Sequence, residues 1–132
     1  PFTVLEVVLL GRGPHPGRGD APADHAAARR ALAAVRLEDR AAQPYPTLSG
    51  GERQRVHYAR ALAQLDGLPR LPRALLLDEP TSSLDLAHQH ELLAHARLLA
   101  RRDDLAVIVV LHDLNLALRY ADDALLLAAG EV

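Results

Sequence analysis

The chain is 132 residues long, 49% of them hydrophobic and 24% charged, which is the balance of a folded domain and not of a disordered chain. This length allows at most one domain. The formal net charge is −2, so no broad positive field favours the binding of nucleic acid or anionic lipid. Cysteine is absent, which excludes disulfide bonds and thiol chemistry. The apolar runs are far too short to span a bilayer.

The first part of the chain is predicted to consist of helices joined by loops. Thr3–Glu6 has the capping-box pattern T-x-x-E, which predicts a short helix over about residues 4–10. Residues 11–20 are rich in glycine and proline and predict a loop. The alanine-rich residues 23–36 predict a helix. Gln43–Pro46 predicts an extended connector, because each proline disfavours the α conformation in its predecessor.

Helices and strands are predicted to alternate from the middle of the chain onward. Ser49 is a candidate N-cap for a helix that ends near Leu65. Ala74–Leu77 is entirely apolar and predicts a strand buried on both faces of a parallel sheet. Residues 86–101 are amphipathic and predict a helix. Leu105–Leu111, rich in valine and isoleucine, predicts a second buried strand.

The end of the chain is predicted to add one more helix and one more strand. Asp113 is a candidate N-cap for a short helix. Ala124–Leu127 is apolar and predicts a third strand. The resulting order, strand–helix–strand–helix–strand, implies parallel pairing with helical crossovers.

A candidate anion site lies at the predicted start of the middle helix. Helix N-termini carry unsatisfied N–H groups and the positive end of the peptide dipole. Gly50 and Gly51 let the backbone approach an anion without a Cβ in the way, and the Ser49 hydroxyl adds a donor. By themselves these three residues also fit an ordinary capped helix with a glycine turn.

Two adjacent carboxylates, Asp78 and Glu79, follow the first predicted strand directly. Open α/β sheets bind their ligands at the carboxyl ends of the strands. Burying two charges requires a partner, and a magnesium ion would be one. The alternative is an acidic strand exit whose carboxylates are solvated. The three histidines of the predicted helix over 86–101, His88, His90 and His95, are expected on a solvated helix surface and not in a zinc site.

Four segments together resemble a known family. Leu48–Val56, LSGGERQRV, resembles the signature motif of ABC-type ATPases, and Leu75–Pro80, LLLDEP, resembles their Walker B strand. Ser82–Asp85 resembles the D-loop, and His112 resembles the switch histidine. The resemblance implies the α/β fold class, as the C-terminal part of a P-loop NTPase (ABC ATPase) domain with parallel strands, crossover helices and a helical subdomain.

The resemblance implies nucleotide-binding roles at the start of the signature helix, with ATP and Mg²⁺ as cofactors. In the family this element caps the γ-phosphate of a nucleotide held by the opposite subunit. The positions to which this role transfers are Ser49, Gly50, Gly51 and Glu52. Asp85 in the D-loop is implied to contact the partner subunit near the shared nucleotide, and it is also a candidate N-cap for the following helix.

A metal-binding role is implied for one further residue, and catalytic roles for two others. Asp78 is implied to bind magnesium, usually through water. Glu79 is implied to polarise the attacking water as a general base. His112 is implied to contact the γ-phosphate.

Longer segments are similar to a particular branch of the family. Thr3–Val8, Gly11–Arg12 and Pro14–His15 look like the helical subdomain of importers of iron-siderophores, haem and cobalamin. Tyr45–Ser49 and Leu111–Ala117 are most similar to hemin-importer ATPases. This resemblance implies an ATP-hydrolysing subunit that works as a homodimer on transmembrane permease subunits, at the cytoplasmic face of the cell (inner) membrane, with hemin or an iron-siderophore as cargo.

One family element is absent from the sequence. All 15 basic residues are arginine, whereas the phosphate-binding Walker A loop, G-x-x-x-x-G-K-[S/T], requires a lysine. No glutamine stands where a Q-loop is expected. We therefore expect 1–132 to be a partial ABC ATPase domain, with the helical subdomain and signature helix over about 1–65 and the Walker B, D-loop and H-loop part over about 66–132. The chain alone is expected to bind ATP weakly or not at all.

Two alternatives stay open at this point. The chain could be a truncated module that docks on a partner without hydrolysing ATP, which the missing lysine favours. It could also belong to a DNA-maintenance ATPase of the SMC type, which shares an LSGG-like signature. Those proteins insert long heptad coiled coils in the domain, and no heptads are visible here.

Overall fold

The computed structural model describes residues 1–13, 22–67, 73–102 and 105–127, without the side chain of Arg102. The chain divides into two compact units, one formed by Pro1–Leu71 with Ser83–Asp85 and the other by Pro72–Ser82 with Leu86–Val132. The predicted loop at 11–20 lies outside the described residues from position 14 onward. None of the described helices combines the length and the hydropathy that a bilayer-spanning segment needs.

The first unit begins with the capped helix that the sequence predicts. α1, Val4–Leu9, starts at Thr3, whose hydroxyl accepts from the Glu6 amide while the Glu6 carboxylate accepts from the Thr3 amide at 2.6 Å. The capping box is therefore confirmed, because the two side chains satisfy each other's backbone donors. A 3₁₀ turn over Leu10–Arg12 continues the helix.

Two longer helices complete this unit. α2 spans Pro22–Ala34 and α3 spans Gly50–Leu65, close to the predicted ranges. The prediction of an extended connector before α3 was only partly correct. Pro44 is extended and bridges Thr3, but Tyr45–Thr47 forms a 3₁₀ turn because the Thr47 amide donates to the Pro44 carbonyl and the Leu48 amide to the Tyr45 carbonyl.

The core of the first unit consists of small and branched apolar side chains from the three helices and from the segment between α2 and α3. Small residues on α2 and α3 let the helices approach closely, and Gly11 packs against the Arg60 carbonyl of α3 so closely that a Cβ would lie 2.3 Å from it. The buried apolar residues of this unit are Val4, Val7, Val8, Ala27, Ala28, Ala31, Leu32, Val35, Leu37, Ala41, Leu48, Val56, Tyr58, Ala59, Ala63 and Leu84.

A buried ion pair lies within this apolar core. Arg12 and Asp24 have side chains only 1% and 0% exposed, and Arg12 Nε lies 2.8 Å from Asp24 Oδ1. Arg12 Nη1 also donates to the carbonyls of Ala63 and Asp66 at the end of α3, at 2.6 Å each. One guanidinium therefore joins α2, the end of α3 and the turn after α1, with its charge compensated inside the core.

The second unit contains a two-stranded parallel sheet joined by a crossover helix. β1, Arg73–Asp78, and β2, Leu105–Val110, pair in parallel with Arg73 opposite Leu105 and Asp78 opposite Val110. α4, Leu86–Arg102, connects them. This arrangement confirms the predicted strand–helix–strand unit, since parallel strands need a crossover of this kind.

Both strands were expected to be buried on both faces, and this expectation was wrong. Leu75 and Leu77 are buried, but Leu76 is 70% exposed and its neighbour Ile108 is 57% exposed. Helix α4 packs against β2, and no other helix described in this unit covers Leu76 and Ile108. Alternate side chains of a strand point to opposite faces, so only every second residue is protected from water.

The expected third strand at Ala124–Leu127 was also wrong. These residues form no ladder and are exposed, with Leu125 82% and Leu126 69% exposed. A strand forms only where another strand supplies hydrogen-bonding partners, and the described sheet consists of β1 and β2 alone.

The last described helix, α5, spans Leu114–Tyr120 and is capped as predicted. Asp113 Oδ1 accepts from the amides of Asn115 and Leu116 at 2.8 and 3.3 Å. The Tyr120 hydroxyl lies 2.7 Å from His90 Nδ1 on α4, so His90 was wrongly expected on a merely solvated surface. The pairing links α4 and α5.

We expect Asp24→Ala to lower the free energy of unfolding of the first unit by about 3–5 kcal/mol, because it leaves the buried Arg12 guanidinium without its counter-charge. Urea denaturation followed by circular dichroism measures this change. The matched control is Arg30→Ala, which removes an exposed ion pair with Asp66 at 2.9 Å. This substitution should lower the free energy of unfolding by at most about 1 kcal/mol. Equal losses in the two variants would contradict the prediction.

Candidate nucleotide site

The first candidate element is the N-terminus of α3. Ser49 is its N-cap: its hydroxyl accepts from the Glu52 amide at 3.3 Å, and its own amide donates to Glu52 Oε2 at 2.8 Å. Ser49 therefore lies at the start of a helix, as predicted. The amides of Gly50 and Gly51 follow in the first turn, where no carbonyl of the same helix can accept from them.

The carboxylate of Glu52 is part of this cap. The Glu52 carboxylate accepts hydrogen bonds from the Ser49 amide and from the Ser49 hydroxyl. Both bonds favour the ionised carboxylate, so they lower the pKa of Glu52 below its usual value. Arg40 Nη1 lies 3.9 Å from Glu52 Oε1 on the other side. Glu52 thus stabilises the helix terminus, because its carboxylate accepts from the Ser49 amide.

Gly51 contacts the segment Ser83–Asp85, which belongs to the same unit. A Cβ added to Gly51 would lie 2.9 Å from the Ser83 carbonyl oxygen and 3.6 Å from Leu84 Cδ2. At Gly50 the nearest atom to an added Cβ would be Ser83 Cβ at 3.7 Å, an ordinary contact. The second glycine is therefore required by close packing of this chain's own backbone, whereas the first is not.

The second candidate element lies in the other unit, at the carboxyl edge of the parallel sheet. Asp78 ends β1 and is exposed, directly opposite Val110 at the end of β2. Glu79 and His112 follow these two strand ends, and His112 Nε2 lies 2.7 Å from Glu79 Oε1. An ionised carboxylate only accepts hydrogen bonds, so Nε2 carries the proton in this contact.

Glu79 has an unusual backbone conformation. Its φ is 43°, in the left-handed region that non-glycine residues avoid at a cost of roughly 1–2 kcal/mol. Such strain is typical of functional positions, where the surrounding structure enforces it. Both members of the pair are exposed, with side chains 47% exposed for Glu79 and 79% for His112, so the contact itself adds little stability.

The sequence-predicted site residues thus fall into two groups. The structure brings Ser49, Gly50, Gly51 and Glu52 together at one helix terminus, with the segment that contains Asp85 in the same unit. It brings Glu79 and His112 together, with Asp78 adjacent, in the other unit. The described residues contain no cluster of three or more histidine, aspartate or glutamate side chains that could hold a metal ion by themselves.

Sequence reasoning missed the polar side chains that surround the start of α3. Arg53 donates to the carbonyls of Pro46 and Leu48, at 2.8 and 3.0 Å. The Tyr45 hydroxyl lies 2.9 Å from His57 Nε2. The only sequence signal was the spacing of Arg53 and His57, four residues apart and therefore on one face of the helix.

The comparisons with known proteins identify the family of the chain. The ABC transporter family matches residues 2–82, which include α3, β1 and the residues between them. The chain belongs to the ABC transporter family.

Among individual relatives, the chain is similar to proteins named hemin import ATP-binding protein HmuV. It is 54% identical over 132 residues to that of Gloeobacter violaceus, covering 99% of this chain and 48% of the relative. It is 56% identical over 132 residues to that of Myxococcus xanthus, covering 99% of this chain and 49% of the relative. The chain therefore spans about half the length of the curated relatives it matches.

Solved structures agree on the fold. The dimeric structure of MJ0796, described as a bacterial ABC transporter cassette, matches with a TM-score of 0.76 and 33% identity, covering 90% of this chain and 49% of that one. A post-hydrolysis state of the same cassette bound to ADP and Pi matches with a TM-score of 0.71 and 31% identity, covering 88% of this chain and 48% of that one. The predicted P-loop NTPase fold class is confirmed.

We expect Gly51→Ala to destabilise the first unit by about 1–3 kcal/mol, because the new methyl group would press against the Ser83 carbonyl. Gly50→Ala should be neutral or stabilising by up to about 1 kcal/mol, because alanine favours the helix and the added methyl group makes only ordinary contacts with Ser83. Urea denaturation measures the free energy of unfolding of both variants. Equal stability of the two variants would show that Ser83 does not constrain position 51.

We expect Glu79→Asn to be about 0.5–1 kcal/mol more stable than Glu79→Gln, because asparagine tolerates the left-handed conformation and glutamine does not. Both variants remove the carboxylate, so the comparison isolates the backbone. Thermal denaturation monitored by calorimetry measures the difference. A glutamine variant as stable as the asparagine variant would argue against strain at this residue.

Proposed function

We propose that this chain is part of the ATP-binding and ATP-hydrolysing subunit of an ABC importer, with hemin or an iron-siderophore as the cargo. The observation that carries the proposal is the Glu79–His112 pair at the carboxyl edge of a parallel sheet, in a chain that belongs to the ABC transporter family. A general base must be held by a neighbour and remain accessible, and both conditions hold for Glu79.

In this proposal the N-terminus of α3 binds the γ-phosphate of a nucleotide held by a second copy of the subunit. The donors are the amides of Gly50 and Gly51, joined by the Ser49 hydroxyl when its proton turns from the Glu52 carboxylate to the phosphate; the hydroxyl oxygen accepts from the Glu52 amide. Glu52 acts indirectly, because its carboxylate is committed to the Ser49 amide. Asp85 would contact the partner copy from the adjoining segment.

Glu79 acts as the general base of hydrolysis. Its carboxylate accepts a proton from the attacking water, whose oxygen then forms the new bond to the γ-phosphorus as the bond to the leaving oxygen of ADP breaks. His112 donates from Nε2 to Glu79 Oε1 and so orients the carboxylate. Contact of the same nitrogen with the γ-phosphate requires His112 to leave Glu79, which its exposed position allows.

Asp78 is the residue that would hold Mg²⁺. Magnesium keeps several waters and commonly uses one or two carboxylates together with substrate phosphates. A single exposed carboxylate at the strand end suits this mode, in which protein side chains alone do not complete the coordination. The ion, when bound, would neutralise charge that develops on the phosphate oxygens.

The partners are a second copy of the subunit and transmembrane permease subunits, at the cytoplasmic face of the membrane. In this proposal the N-terminus of α3 in one copy and the acidic sheet edge of another copy act on the same nucleotide, which requires a homodimer. A related cassette is described as dimeric. The hemin cargo is supported by relatives at 54% and 56% identity that carry that name. The cargo does not contact this subunit in the proposal, so its assignment rests on relatedness.

We expect Glu79→Gln to lower ATP hydrolysis by roughly 10²–10⁴-fold while leaving the affinity for Mg·ATP nearly unchanged, because the amide cannot accept the proton from water. The measurement is phosphate release by the subunit assembled with its permease in lipid vesicles, together with an equilibrium ATP titration.

Glu38→Gln is the matched control, since it makes the same chemical change at an exposed residue of the other unit and should retain full activity. Hydrolysis by Glu79→Gln at the wild-type rate would exclude Glu79 as the base. Hemin uptake that is unaffected by this substitution would favour a docking module that does not hydrolyse ATP.

A further inference from the structure

The turn that precedes α3 is fastened to the helix by one arginine. Arg53 lies one turn into α3, and its guanidinium reaches back to two backbone carbonyls. Arg53 Nη2 donates to the Pro46 carbonyl at 2.8 Å, and Nε donates to the Leu48 carbonyl at 3.0 Å. A planar guanidinium can satisfy both acceptors at once, and hydrogen bonds from a charged donor are stronger than neutral ones.

Two aromatic side chains complete the arrangement. The Arg53 guanidinium carbon lies 6.0 Å from the centre of the Tyr45 ring, within cation–π range. The Tyr45 hydroxyl lies 2.9 Å from His57 Nε2, with the two rings edge-to-face at 5.9 Å. Partial burial, with a contribution from nearby Arg60, lowers the pKa of His57. We call Tyr45, Arg53 and His57 the Arg53 cluster.

The location of the positive charge is informative. A cation in the first turns of a helix is unfavourable to the helix dipole by roughly 0.3–1 kcal/mol. The same charge favours an anion at the helix N-terminus, where Ser49 and the two glycine amides lie. The carbonyl hydrogen bonds offset the unfavourable position and also immobilise the segment that leads into Ser49.

We propose that the Arg53 cluster positions the anion-binding terminus of α3 by tying Pro46 and Leu48 to the helix, so that Ser49, Gly50 and Gly51 are held ready for a phosphate group. This inference rests on the proposed function, because it takes the same helix terminus as the phosphate site. Arg53 is a positioning residue and does not itself touch the phosphate. Preorganisation of this kind lowers the ordering cost of binding.

The test uses the full 132-residue chain with Arg53→Gln, Arg53→Lys and the control Arg29→Gln, which removes an exposed charge on α2 of the same unit. Amide hydrogen exchange measured by NMR is the first readout. In Arg53→Gln the Thr47 and Leu48 amides should exchange about tenfold faster, because their turn loses its two charged hydrogen bonds. Amides in the middle of α3 should be unchanged, which separates local loosening from unfolding.

The second readout is the dissociation constant for Mg·ATP of the subunit assembled with its permease in lipid vesicles, taken from an equilibrium titration, because the 132-residue chain alone is expected to bind ATP weakly or not at all. Arg53→Gln should weaken binding about tenfold, and Arg53→Lys should recover only part of the loss, because an ammonium lacks the planar fork that serves both carbonyls. The control Arg29→Gln should match the wild type in both readouts.

Each outcome decides the proposal. Unchanged exchange in Arg53→Gln overturns it, as does full recovery by lysine, which would reduce the role to charge alone. Faster exchange with unchanged affinity would make the cluster structural only, which also overturns it. If the assembled wild-type subunit binds no Mg·ATP, the proposed function fails at this helix terminus. The exchange measurement then still decides whether Arg53 orders the turn.

Discussion

Parallel pairing of two strands is the constraint on which the acidic site depends. β1 and β2 run in the same direction with their last residues, Asp78 and Val110, side by side, so the residues that follow leave the sheet at one edge. This register brings Glu79 within 2.7 Å of His112 although they are 33 residues apart in sequence. An antiparallel pairing would place the two strand exits at opposite ends of the sheet. Glu79, the first residue after β1, has a left-handed backbone with a φ of 43°.

The helix terminus in the other unit follows from a different requirement, the satisfaction of backbone donors. Ser49 and Glu52 satisfy one amide each, which leaves the glycine amides of the first turn without partners in the helix. Arg53 satisfies carbonyls of the preceding turn, and Gly51 admits the Ser83 backbone. Ser49, Glu52 and Arg53 are therefore committed to structure at this terminus, and the glycine amides, which have no acceptor within the helix, are the natural donors for an anion.

Local patterns in the sequence were sufficient for much of the fold. The Thr3–Glu6 capping box and the N-caps Ser49 and Asp113 were predicted, because their partners lie within three residues, whereas the capping role of Glu52 was not predicted. The parallel strand–helix–strand unit followed from the order of elements. The candidate residues Glu79 and His112 came from a resemblance to known motifs, and the structure places them 2.7 Å apart. The amino-acid composition alone contained no information on the contact between Glu79 and His112.

Tertiary structure decided what local patterns could not. The exposure of Leu76 and Ile108 and the absence of a ladder at Ala124–Leu127 depend on which elements cover or pair with them, and no sequence window contains that information. The Arg12–Asp24 pair and the Arg53 contacts likewise join groups whose proximity arises only after helices pack or turns close. The sequence by itself determined where helices begin and which residues could carry the chemistry, because those depend on neighbours within a few residues. Folding determined which of those residues meet, because contact between distant positions is a property of packing.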